Sequence, residues 1–310
     1  MSDFVILADA TCDLNEDFQR EYDIKIVNTH IVFPDGVDMP SFLSWDKISR
    51  EQFYKDLKSN PTAYTTSPAN IEEFSAAFEK YASQGKDILA ITISSGISSS
   101  YNFMCSAQKI ISEKYPDIKI RCIDSLRYGP GFGLLVIHAA MQRSAGKTLD
   151  ETADYIEANK NRFHQAGWMD DLSFVARKGR LTHAKAFFGT LAGIKAIGEF
   201  DYNGLTTVLT KVKGAKQAYK TLIGYIERTI IEPENQIIFI AQTNRLPQAE
   251  IYKKMIEDTF HPKAVYINDV FPACGINIGP GLMAAYYVGN EISKDLSEER
   301  AILEKSSIGE

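Results

Sequence analysis

Two short segments concentrate hydroxyl side chains: Tyr64-Thr65-Thr66-Ser67-Pro68-Ala69 and Ser94-Ser95-Gly96-Ile97-Ser98-Ser99-Ser100. The first stands just ahead of a stretch with helical periodicity. The second lies between a strand-like run and another helical stretch. At such places backbone amides point outward and the helix dipole favours an anion. Neutral hydroxyls and amides can hold a carboxylate without bringing in a strong positive charge. Ordinary capping by Ser and Thr accounts for the same composition, so the residue types alone leave both readings open.

Other chemistry finds no support in the spacing. There is no HExxH motif, and His30, His138, His164, His183 and His261 show no zinc-ligand pairing. Gly146-Lys147-Thr148 ends like a phosphate-binding loop, but Met141 stands where the opening glycine belongs and a helical stretch precedes it. It reads as a helix C-cap followed by an N-cap. Gly129-Pro130-Gly131-Phe132-Gly133 follows a strand, yet the spacing does not match GxGxxG and proline removes an amide that a pyrophosphate would use. A tight strand-to-helix turn is expected there. No GxSxG elbow is present. A serine hydrolase using Ser95 or Ser98 requires a histidine and an acid beside the serine. An enzyme of phosphotransfer type acting on a small substrate would want a basic or metal-binding cluster nearby, and the sequence offers none.

The bulk properties narrow the partners. The chain has 310 residues, a net charge of -6 and a pI of about 5.5. Such a surface repels phosphate backbones and anionic headgroups, which argues against nucleic acid and membrane surfaces. Cys12, Cys105, Cys122 and Cys274 are scattered and are expected to be reduced thiols. The N-terminus lacks a basic region and a long apolar run, no segment reaches membrane-spanning length, and the cytoplasm is the expected location.

Length exceeds the size at which a single core stops growing, so two lobes are expected, residues 1–165 and 166–310. Apolar runs predict strands over Phe4 to Ala8, Ile24 to Phe33, Asp87 to Ile93 and Ile118 to Asp124. Helices are predicted over Arg50 to Lys58, Ala69 to Gln84, Tyr101 to Lys114, Phe132 to Ser144 and Leu149 to Asn161. Ser67 before Pro68 is the expected start of the second, and Thr148 with Glu151 the capping box of the last. This alternation implies an α/β fold with a mainly parallel first sheet. The second lobe reads as smaller and mixed. It begins with a short strand after His164 and a helix ending in Arg177-Lys178-Gly179-Arg180, followed by a hairpin about Asn203-Gly204. Further elements are helix Lys216 to Ile226, strand Ile237 to Gln242, helix Pro247 to Thr259 and strand Ala264 to Asp269, before a charged, solvated or frayed helical tail from Ser293.

The motifs, taken in order, resemble one family. Asp9-Ala10-Thr11-Cys12-Asp13-Leu14 resembles the Asp-Ser-Thr-x-Asp-Leu opening of DegV proteins. Thr65-Thr66-Ser67-Pro68-Ala69 resembles their Thr-Ser-Gln-Pro-Ser, and Ile93 to Tyr101 their Ile-Ser-Ser-Gly-Leu-Ser-Gly-Thr-Tyr. Lys178-Gly179-Arg180-Leu181 resembles Gly-Gly-Arg-Ile, and Gly279-Pro280-Gly281 the late Gly-Pro-Gly. The resemblance runs from about Phe4 to Val288.

The resemblance implies a two-lobed α/β protein that binds a long-chain fatty acid, like the fatty-acid-binding subunits of bacterial fatty acid kinase. The tail would lie between the lobes and the carboxylate at the hydroxyl loops, for phosphorylation by a separate kinase subunit. No cofactor, metal or catalytic residue is implied. By position Thr65 and Ser98 match the carboxylate-binding Thr and Ser, with Thr66 and Ser95 beside them, and Arg180 matches an arginine near the headgroup. Asn277 stands where many members carry histidine; it can donate to a carboxylate but cannot become charged. Lys178 replaces a glycine, as does Ser99, and Lys213 stands for an arginine. Phe174, Phe187, Phe188, Ile194 and Phe271 are candidate tail-tunnel walls or equally core.

Overall fold

The computed structural model describes residues 4–181 and 193–308. In chain order the strands are β1 Phe4–Asp9, β2 Ile24–Val27, β3 His30–Val32, β4 Asp38–Pro40, β5 Thr65–Ser67, β6 Asp87–Thr92 and β7 Ile120–Asp124. They continue with β8 Phe163–Met169, β9 Ile194–Phe200, β10 Thr206–Lys213, β11 Ile237–Gln242, β12 Ala264–Asp269 and β13 Leu282–Val288. The helices are α1 Glu16–Glu21, α2 Arg50–Ser59, α3 Ile71–Ala82, α4 Ser100–Lys114, α5 Gly129–Ser144, α6 Leu149–Asn159 and α7 Ser173–Arg177. After them come α8 Ala215–Thr229, α9 Leu246–Phe260, α10 Pro272–Ile278 and α11 Ser297–Ile308.

The strands form a parallel four-stranded sheet in the order β2-β1-β6-β7 and a mixed six-stranded sheet in the order β10-β9-β8-β13-β11-β12. The period of two along β1 explains how the first sheet is covered. Phe4, Ile6 and Ala8 face a core shared with the second sheet, whereas Val5 and Leu7 face Phe74 and Phe78 of α3 and Met104 and Ile111 of α4. Between the sheets runs α5, apolar nearly all round as a helix buried on every side must be. Its Phe132, Leu135 and Val136 share one cluster with Ile91 of the first sheet and Phe239, Ala284 and Tyr286 of the second. The outer face of the second sheet is closed by Leu222 and Ile226 of α8 and Tyr252 and Ile256 of α9.

Several expectations need correction. The single strand expected over Ile24 to Phe33 is two strands in different sheets. The backbone changes partner at Thr29, whose amide donates to Ser41 Oγ at 3.1 Å while its carbonyl accepts from the Ser41 amide at 2.7 Å. Thr65–Ser67 is not the start of a helix but the edge of an antiparallel sheet in the order β4-β3-β5. The cap of α3 is Asn70, whose side chain accepts from the Glu73 amide at 2.9 Å while Glu73 accepts from the Asn70 amide at 2.8 Å. That capping box satisfies two helix-end donors at once, which Ser67 could not do. The glycine-proline turn at residue 129 is already the first turn of α5, with Pro130 suited to it. Gly131 is required for packing, since a Cβ there would come within 2.6 Å of the Tyr286 ring. The charged tail is helical as expected and keeps a solvated face, but α11 also packs one face, burying Glu299, Leu303 and Ser306. Two elements without a sequence expectation, α10 and β13, sit next to the site and at the centre of the second sheet.

The three-stranded sheet and α2 rest on the second sheet's end. Asp269 accepts from Trp45 Nε1 at 2.7 Å and from Arg50 at 2.9 Å, and Tyr54 donates to the Val270 carbonyl at 2.7 Å. Phe53, Tyr54 and Tyr64 pack with Phe174 of α7 and Ile276 of α10.

Candidate functional site

A cavity of about 840 Å3, counting its open mouth, lies where the three sheets meet. Its apolar wall includes Ile93 and Ile97 from the first sheet's end, Met169 and Leu282 from the second, Val175 from α7 and Ile278 from α10. Polar side chains of Thr66, Ser98, Ser100, Asn277 and Arg180 also line it.

The two aspartates of the opening motif build the scaffold, while Thr11 between them lines the cavity. Asp9 is fully buried and accepts from the Thr11 amide and the Ile93 amide, both at 2.9 Å, which ties β1 to the start of the second hydroxyl loop. Burial pushes the Asp9 carboxyl up, and its hydrogen bonds from Thr11 and Ile93 oppose that shift. Asp13 accepts from the Phe271 amide at 3.0 Å and so fixes the entry to α10. Asp124 holds the same hydroxyl loop from the other side, accepting from the Ser95 amide at 3.0 Å.

The two hydroxyl segments reach the cavity differently. In the second, Ser98 Oγ lies 2.9 Å from Ser100 Oγ and accepts from the Ser100 amide at 3.3 Å, directly ahead of α4. No side chain of Ser99 caps that helix, so apart from the Ser100 amide, which Ser98 Oγ accepts from, its first-turn amides keep their capacity for an anion. In the first, Thr66 faces α10, and Asn277 Nδ2 donates to Thr66 Oγ1 at 3.2 Å and to the Ala273 carbonyl at 3.2 Å. Thr65 and Ser95 are exposed and do not line the cavity. Of the expected residues, Thr66, Ser98, Asn277 and Arg180 are therefore brought to one cavity, and Thr65 and Ser95 are not.

Arg180 is half-buried, and its Nη1 donates to the Lys178 carbonyl at 3.0 Å. Burial lowers its pKa, and it has no carboxylate partner among the described residues. A cation partly removed from water without a counter-charge favours any anion that enters beside it. Lys178 is likewise lowered, by burial and then by the neighbouring charges of Arg180 and Arg177.

Among the expected wall residues, Phe174 and Phe271 are buried in other clusters and Ile194 is outside the lining. Phe187 and Phe188 lie outside the described residues, as does His183. Thr11, Tyr128, Gln165 and Thr206 also line the cavity, without having been foreseen. They come from four distant places in the chain, and no spacing rule joins them. No histidine lines the cavity among the described residues, and none of these residues form a group able to hold a metal ion. No described helix is long and apolar enough to cross a membrane.

Comparison with other proteins agrees with this architecture. The profile described as "uncharacterised protein, DegV family" matches residues 3–290. A DegV domain-containing protein of Clostridium perfringens is 31% identical over 297 residues, covering 94% of this chain and 99% of the relative. Among solved structures, a fatty-acid-binding DegV family protein of Thermus thermophilus superposes with a TM-score of 0.82 at 17% identity, over 92% of this chain and 99% of that one. The fatty-acid-binding DegV of Bacillus subtilis superposes with a TM-score of 0.76 at 20% identity, over 94% of this chain and 100% of that one. With its motifs in order, its two sheets superposable and its sequence matched almost end to end, this chain belongs to the DegV family.

Proposed function

We propose that the protein binds a long-chain fatty acid, with the carboxylate at Thr66, Ser98 and Asn277 and the tail along the apolar wall between the sheets. The lobes so defined divide near residue 165. The observation that carries this reading is the pairing of one apolar cavity with a neutral hydroxyl and amide cluster at the N-terminus of α4. Charge-assisted hydrogen bonds of this kind contribute ~1.5–3 kcal/mol each. The fatty acids bound by the structural neighbours support the same ligand class. Thr66 then fills the role that the sequence resemblance implies for Thr65.

The protein acts in this reading as a carrier without catalytic machinery, working in the cytoplasm. It presents the carboxylate to a separate kinase, which transfers a phosphoryl group from a nucleoside triphosphate to one carboxylate oxygen to give the acyl phosphate. Arg180 in the cavity lining, with Arg177 and Lys178 just before it in the chain, offers positive charge for the added phosphoryl group or an acidic partner surface. Asn277 makes headgroup binding depend less on pH near neutrality than a histidine there would, because its amide does not titrate.

The test is fatty acid titration of the Thr66→Ala/Ser98→Ala double variant. The expected result is a loss of affinity between about tenfold and about 100-fold with an unchanged melting profile, from two charge-assisted bonds of unequal weight at ~1.4 kcal/mol per tenfold. Unchanged affinity would place the carboxylate elsewhere.

A further inference from the structure

The four cysteines are all free, and they fall into two classes. Cys12 and Cys274 are buried, and burial pushes both thiols well up, as in inert core cysteines. Cys105 in α4 and Cys122 in β7 are half-buried, and their side chains hydrogen-bond to each other. The elements explain the meeting. Tyr101, Cys105 and Gln108 form one stripe of α4 at helical spacing, and Gln108 Nε2 donates to the Ile120 carbonyl at 2.6 Å. Ile120 and Cys122 share a face of β7, the face packed with Met104 and Ile111 of α4. Because β7 is the edge strand of its sheet, both thiols of this seam keep contact with solvent.

The two thiols are not equivalent. The Cys122 hydrogen bond lowers the Cys105 pKa against burial, the Tyr101 hydroxyl and the Lys109 charge lower it further, and the Asp124 charge opposes them. The same hydrogen bond and burial raise Cys122. The thiolate is the nucleophilic form, so Cys105 attacks and Cys122 resolves. We propose that Cys105 and Cys122 are a modification site, a thiol pair that a hydroperoxide oxidises to an intramolecular disulfide tying α4 to β7. In the first step Cys105 Sγ bonds to one peroxide oxygen as the O–O bond breaks, and the departing hydroxide takes a proton from solvent to leave as water. In the second, Cys122 Sγ bonds to Cys105 Sγ as the S–O bond of the sulfenic acid breaks, and the Cys122 proton leaves with that oxygen as a second water. The two sulfurs lose two electrons between them and the peroxide gains them. The link would lie close to the second hydroxyl loop, since Asp124, two residues after Cys122, holds the Ser95 amide.

The test treats the full chain, reduced and desalted, with a slight excess of hydrogen peroxide, then alkylates the remaining thiols after unfolding and maps the peptides by mass. The expected result is a loss of two hydrogens, a link between the Cys105 and Cys122 peptides that dithiothreitol reverses, and alkylation at Cys12 and Cys274. Cys122→Ser is expected to stop at the Cys105 sulfenic acid, which dimedone traps. Cys105→Ser is expected to slow oxidation at Cys122 by about tenfold or more, because the lowered thiol is gone. Both thiols remaining reduced in the parent chain, a link to another cysteine or between chains, or Cys105 passing to the sulfinic acid without a link would each overturn the pair. Oxidation of Cys122 at the parent rate in Cys105→Ser would overturn it as well. No lipid enters the measurement, so the fatty acid reading stands or falls separately.

Discussion

Thr65–Ser67 and Ser94–Ser100 look alike as residues, yet they meet the cavity by different physics. The first is an edge strand, held by three backbone partners on β3, and it turns the Thr66 hydroxyl to Asn277 of α10, with Ser67 after it also lining the cavity. The second is a true strand-to-helix loop, buttressed by Asp9 and Asp124, that ends at the N-terminus of α4. In an edge strand, moving one residue along the chain turns the side chain to the other face. In a loop before a helix, the dipole and several amides act together, and the exact hydroxyl matters less. Position is decisive in the strand, whereas the field of the helix end shares the work in the loop.

The largest expected effect tests that contrast within the strand. Thr66→Ala is expected to weaken fatty acid binding about tenfold, while Thr65→Ala changes it less than twofold, by the loss of one charge-assisted bond against none. Equal effects in a titration of the two variants would break the distinction. Ser98→Ala is expected to lose less than Thr66→Ala, because the α4 amides remain, and Ser95→Ala again little.

A smaller effect bears on which residue starts α3. Asn70→Ala is expected to lower stability by about 1 kcal/mol in chemical unfolding, and Ser67→Ala by close to nothing. A larger loss from Ser67→Ala would return the first segment to a helix-capping role. The smallest effect concerns His30, which joins the two halves of this region. Its Nε2 lies 2.8 Å from Glu73 and its Nδ1 3.3 Å from Asp38. Burial opposes its charge, but the Glu73 hydrogen bond and the charges of Glu73 and Asp38 outweigh that and raise its pKa above the ordinary 6.5. The stabilisation is therefore complete below pH 6.5 and fades as pH rises through the raised value. A melting series across that window should show a decline that His30→Gln removes. A decline of the same size in the variant would assign it to another group.

Much of the fold was legible because burial on both faces writes itself as apolar runs. The limits of β11 and β12 match their expected ranges residue for residue, and the capping box at Thr148 and Glu151 forms as the pattern requires. The three-residue strands β3, β4 and β5 are too short to carry a period, so their sheet left no trace. For the same reason Thr65 and Thr66 could not be told apart: which one faces the cavity depends on register with Val32 and Ile31. The apolar run of β13 is equally compatible with a buried helix, and only its pairing with β8 and β11 decides. Tyr128 and Gln165 are invisible for a further reason, since which polar residues line a cavity is a property of packing and not of residue type.

The most direct test is native mass spectrometry of freshly purified protein, followed by solvent extraction and lipid analysis. One fatty acid per chain, lost on extraction and reduced in the Thr66→Ala/Ser98→Ala variant, is the predicted result. A ligand-free mass that persists after incubation with saturated, unsaturated and hydroxylated long-chain acids would contradict the account.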